Sequence, residues 1–146
     1  MALDTPYDDS NIVYQQKKIE GTLYKAVEKS GLMSVVSSQL YKRNWKLNHT
    51  ERQMTIQDIS SMPPILKATL PYDQIVSVAF NLFDVCEQVY ENGDKLFKFT
   101  VKTNEREYNL LALSFADRMM WLHTFNWIIL TNNFLKLSDD AKETLL

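Results

Sequence analysis

Leu96-Phe97-Lys98-Phe99-Thr100-Val101-Lys102 alternates apolar and polar residues; Glu107-Tyr108-Asn109-Leu110-Leu111-Ala112-Leu113 follows after a turn at Asn104-Glu105. Such a period of two marks strands with one buried face. At Ser114-Phe115-Ala116-Asp117 the period changes. A serine with an acidic residue three positions on is a helix N-cap signature. The helix is expected from about Phe115 to about Asn132. Trp121, Leu122, Phe125, Ile128 and Ile129 fall on one apolar face about 120° wide at 100° per residue.

Upstream, the period of two dominates. Ile19 to Lys25 alternates and is rich in strand formers. Glu28 to Gln39 holds Gly31 and four serines and reads as a long hairpin loop. Leu40 to Asn48 is a second strand, with Arg43, Trp45 and Leu47 on one face. Gln53-Met54-Thr55-Ile56 is a third, and Ser60-Ser61-Met62-Pro63-Pro64 must break it, because proline cannot donate to a ladder. Leu70, Ile75 and Val78 suggest a fourth strand, irregular near Pro71, and Val76 to Val85 continues less regularly. Asn92-Gly93 is a tight turn. Seven short antiparallel strands tend to close or nearly close, and one terminal helix can plug the open end.

The chain has 146 residues, 45% hydrophobic and 23% charged, enough for one core without disulfides or metal. Its net charge of −2 argues against a nucleic-acid binder. That total hides a polarity. Residues 17–52 carry eight basic and three acidic residues, so this stretch is +5 and the remainder −7. The single cysteine, Cys86, forms no internal disulfide, and a reducing, intracellular setting is the default expectation. There is no 18-residue apolar run and no signal-peptide pattern at the start of the chain. Residues 1–16 read as a flexible or loosely docked arm.

Taken in order, these pieces resemble a pleckstrin homology (PH) domain. The matching segments are Gly21-Thr22-Leu23-Tyr24-Lys25, Lys42-Arg43-Asn44-Trp45-Lys46-Leu47, the spacing of Leu70, Ile75 and Val78, Phe97-x-Phe99-x-Val101, Tyr108-x-Leu110, and Trp121 seven residues after Ser114. The resemblance implies a mainly β fold, a seven-stranded bent antiparallel barrel capped by a C-terminal α-helix. The PH-like unit is placed at residues 17–134, with a tail at 135–146. It also implies membrane recruitment or interaction rather than enzymatic activity. Many such domains bind inositol-phosphate headgroups with a lysine late in the first strand and a basic-x-Arg triplet in the second. Lys25 and Arg43 match these positions. The triplet is then Tyr41-Lys42-Arg43, with tyrosine where a cation is usual; shifting by one restores Lys42 but puts Asn44 in place of the arginine. The broken triplet keeps a simpler headgroup, phosphatidic acid, open beside phosphoinositides. Lipid-anchored PH-domain proteins of apicomplexan parasites use that lipid, and the asparagine and tyrosine usage here is compatible with such a source.

Phosphate recognition needs positive charge and several converging donors. The expected headgroup site is Lys25, Lys29, Lys42, Arg43 and Lys46, with the +5 stretch gathered around one barrel mouth. Leu32, Met33, Val35 and Val36, apolar residues in the expected loop, are candidates for membrane insertion, against the alternative that they pack on the barrel or extend a strand. The expected setting is cytoplasmic and peripheral, on an anionic phospholipid membrane. The alternative is a peptide- or protein-interaction module that uses a helix stripe at Met120, Trp127 and Phe134, unless the arm residues Ile12, Val13 and Tyr14 cover it. His49 and His123 have no patterned partners, and one cysteine makes no zinc motif. No cofactor, metal or catalytic residue is expected.

Overall fold

The computed structural model describes residues 13–15, 18–30, 36–80, 88–89, 95–137 and 139–145. Nine strands and two helices lie along them: β1 (Val13–Gln15), β2 (Lys18–Ser30), β3 (Val36–Asn48), β4 (Gln53–Asp58), β5 (Ile65–Pro71), β6 (Ile75–Ala79), β7 (Gln88–Val89), β8 (Lys95–Thr103), β9 (Glu107–Ala112), α1 (Phe115–Leu135) and α2 (Asp139–Leu145). Seven strands form one antiparallel sheet in the order β5-β4-β3-β2-β9-β8-β6. β1 pairs with β2, and β7 with β8. The seven-stranded antiparallel sheet and its C-terminal helix are as expected.

The irregularity near Pro71 is a change of sheet edge. β5 ends at Pro71, a 3-10 turn spans Tyr72–Gln74, and β6 then joins the opposite edge beside β8. The long loop expected over Glu28–Gln39 is mostly strand. β2 and β3 stay in register from Lys18↔Asn48 to Ser30↔Val36. Serine-rich sequence reads as loop by propensity, but a continuous backbone ladder overrides so weak a preference. β9 pairs with β2 only at Tyr24 and Lys25, and β4 pairs with β3 only from Asn44 onward, so the distal hairpin is a two-stranded ribbon. The tight turn expected at Asn92-Gly93 lies outside the described residues.

The alternation resolves into a core. Leu23, Trp45, Leu47, Met54, Phe99 and Leu110 from the sheet meet Trp121, Phe125 and Ile128 from α1, all fully buried. Trp45 presents its edge to Tyr108 and Phe125 at 5.8 and 6.1 Å, and Trp121 stacks on Phe125. The expected N-cap is formed: the Ser114 hydroxyl accepts from the Asp117 N–H at 3.0 Å. The helix also buries a charge within its apolar stripe, one turn before Trp121 and Leu122. Arg118 is buried with its guanidinium 4.9, 5.3 and 5.5 Å from the rings of Phe80, Phe97 and Phe115.

Candidate functional site

Among the middle of β2 and β3, the facing parts of β4 and β5, and the β8–β9 turn with the start of β9 lies a cavity of about 270 Å³. Four cations line it: Lys25, Arg43, Lys67 and Arg106. Trp45, Ile56, Ala68 and Tyr108 complete its walls. Cross-strand pairs in an antiparallel ladder share a face. Leu23 pairs with Arg43 and Lys25 with Tyr41, so Lys25 and Arg43 project to the side of the buried Leu23 and Trp45. The pleat of β2 and β3 therefore delivers two of the expected residues to one mouth.

Lys67 arrives differently. Ile56 pairs with Ala68 and Gln57 with Leu66, so Lys67 is the extra residue of a β-bulge. A bulge re-aims a side chain that regular alternation would send elsewhere. Arg106 is fixed by the turn before β9. The Thr103 hydroxyl accepts from the Glu105 and Arg106 N–H groups and donates to the Arg106 carbonyl, while the guanidinium lies 5.2 Å from the Tyr108 ring. Neither residue follows from strand alternation. The available signals were a cation just beyond the Pro63-Pro64 break and another in the turn leading into the strand beside β2.

The remaining expected cations lie elsewhere. Lys42 is exposed on the opposite face of β3 from Arg43. Lys46 stands 4.0 Å from Glu20 and lines a second cleft, of about 210 Å³, with Lys18 and Glu51. Arg52 donates to Thr131 and Asn132 on α1. The +5 stretch is thus not gathered at one mouth, because successive strand residues face opposite sides and the β3–β4 turn lies against the helix. Lys29 continues the backbone of β2, and its side chain is outside the described residues. So are Leu32, Met33 and Val35; Val36 begins β3, its side chain likewise undescribed.

The site is strongly positive. Burial, then the Arg106 and Arg43 charges, hold the Lys25 ammonium below its usual pKa of 10.5. Tyr41, in the place of a usual cation, lies under Arg43, whose guanidinium sits 5.3 Å from the ring. Arg43 also donates to the Lys42 carbonyl at 3.0 Å and stands 3.6 Å from Asp58. Asp58 accepts from the Ser60 hydroxyl and N–H at 2.5 and 2.9 Å, and these bonds, with Arg43 and Lys67 nearby, hold its carboxyl below its ordinary pKa. Among the described residues, four cations against one carboxylate give the rim a surplus of positive charge.

The helix stripe is narrower than its heptad spacing suggests. Met120 packs on the core and Phe134 is half-buried, while Trp127 is 43% exposed and meets His49 with the rings tilted, centroids 4.6 Å apart. Among the described residues no cluster of histidine, cysteine, aspartate and glutamate could hold a metal ion, and no helix is long and apolar enough to cross a membrane.

No protein-family model matches the sequence, and no curated protein matches it. Solved structures do. The PH domain of human TBC1 domain family member 2 superposes with a TM-score of 0.54 at 14% identity, over 87% of this chain and 91% of that one. The chain therefore has the fold of a PH domain.

Proposed function

We propose that the protein is a binding module, not an enzyme, and that its mouth takes the phosphate of an anionic phospholipid headgroup at a membrane surface. The observation that carries this reading is the convergence of Lys25, Arg43, Lys67 and Arg106 on one cavity. A phosphate monoester offers several acceptor oxygens to such a cluster. Charge-assisted bonds are the strong class of hydrogen bond, and each cation near an anionic surface adds about 1 kcal/mol of attraction. Phosphatidic acid and a phosphoinositide share this terminal chemistry. Tyr41 in place of a triplet cation, with Lys67 and Arg106 brought in from other elements, favours a compact phosphate over a polyphosphorylated ring. The module then works as a peripheral protein of a cytosolic leaflet or organelle surface. Leu32, Met33, Val35 and Val36, at the far end of the β2–β3 ribbon, are proposed to add apolar contact.

Co-sedimentation with phosphatidylcholine vesicles doped with phosphatidic acid, or with a phosphoinositide, tests the reading. Lys25→Ala with Arg43→Ala is expected to weaken binding at least about tenfold, since each charge-assisted bond is worth about 1.5–3 kcal/mol. Equal binding by wild type and variant removes the mouth as the headgroup site. A wild type that binds no anionic vesicle points instead to a protein partner, for which the exposed Trp127 and Leu130 on α1 are the candidate contacts.

A further inference from the structure

The β4–β5 connection and the first two residues of β5 turn apolar side chains outward. Ile59, Met62, Ile65 and Leu66 are 39, 91, 48 and 55% exposed. Between Asp58 and Lys67 the chain has no charged residue. An exposed apolar cluster spanning a loop and the strand start beside it calls for a partner phase, since exposed loops and their margins are ordinarily polar. Its place in the fold says which one. The residue before the connection, Asp58, stands against Arg43, and the residue after Leu66 is the bulged Lys67; both cations line the mouth. The apolar tip therefore springs from the rim of the most positive cavity described. The carboxylate at its base faces Arg43 and Lys67, which offset its repulsion from an anionic surface. Pro63 and Pro64 carry no backbone N–H, so the tip brings fewer donors into a low-dielectric layer that cannot satisfy them.

We propose that this tip, through Ile59, Met62, Ile65 and Leu66, enters the boundary between headgroups and acyl chains of an anionic bilayer while the adjacent mouth holds a headgroup phosphate. The inference rests on the membrane reading above and adds a second, apolar anchor on a different loop from the β2–β3 connection. Charge attraction between exposed groups is screened by salt, whereas apolar insertion is not.

The experiment uses phosphatidylcholine vesicles doped with phosphatidic acid, at low and high salt. Met62→Ser with Leu66→Ser, at two exposed positions that leave the core intact, is expected to bind about tenfold more weakly at low salt and to lose the salt-resistant binding that wild type keeps. Met62→Trp is expected to gain tryptophan fluorescence that acyl-brominated phosphatidylcholine quenches beyond the wild-type level. Full binding by the serine variant, or no added quenching at position 62, overturns insertion. If wild type binds, Lys25→Ala with Arg43→Ala does not, and the serine variant binds fully, insertion alone fails. If wild type binds no anionic vesicle, the membrane reading fails and insertion with it.

Discussion

Lys25 shares its cavity with three other cations, Arg43, Lys67 and Arg106. Its lowered pKa means that the charged ammonium costs native stability throughout the range below its native pKa, and that the cost is relieved as pH rises from there toward 10.5. Lys25→Met should therefore leave the thermal midpoint unchanged or slightly raised while weakening anion binding severalfold. A marked loss of stability, read by thermal melts, would count against a strained cation cluster. His49 offers a second test. Burial and the Arg52 charge lower its pKa from 6.5, and its Nδ1 lies 2.7 Å from the Tyr72 hydroxyl. The unfolded chain then takes up a proton first as pH falls below 6.5, so native stability is lost from there down to the native pKa of His49. Thermal melts at pH 7.5 and 5.5 should show a larger drop for wild type than for His49→Gln; equal drops would place the titration elsewhere. Lys25 and Arg43 were legible because alternation and the position of Trp45 fix their face. Lys67 and Arg106 were not, because a bulge and a threonine-held turn obey no period.

The last turns of α1 close the barrel through polar bonds that no hydrophobic pattern announces. The Asn132 amide donates to the Tyr72 carbonyl at 2.7 Å, and its oxygen accepts from Arg52 at 2.7 Å. Arg52 takes a positive φ of 52° in the β3–β4 turn and also lies over the Tyr72 ring. One buried amide thus ties the helix to both the 3-10 turn and a hairpin turn. Asn132→Ala takes one of two donors from the Tyr72 carbonyl, which keeps the Ile75 N–H, and takes an acceptor from Arg52; it should cost about 1–2 kcal/mol in denaturant unfolding. Ser114→Ala removes the cap at the other end and should cost about 1 kcal/mol. A loss below a few tenths in both would mean that packing of Trp121 and Phe125 alone holds the helix. The start of α1 was readable from its cap and its face from a 3.6 period. The length of the β2–β3 hairpin was not, because pairing between distant residues, rather than the serines themselves, decides where those strands end.

The net charge of −2 says little about how charge is distributed over this protein. What matters is that Lys25, Arg43, Lys67 and Arg106 open on one cavity while Lys46 faces Glu20 and Arg52 is bound to α1. The basic excess of residues 17–52 contains Lys25 and Arg43 but neither Lys67 nor Arg106, and the fold divides it between faces. Vesicle binding should accordingly fall with ionic strength, and the residual binding at high salt should track the apolar tip at Met62 and Leu66. The central claim is that the mouth, rather than the helix, is the ligand site. Nitrogen–proton chemical-shift mapping with a short-chain phosphatidic acid tests it most directly. The account predicts perturbations centred on Lys25, Arg43, Lys67 and Arg106; perturbations confined to α1 around Trp127 and Leu130, with the mouth unmoved, would contradict it.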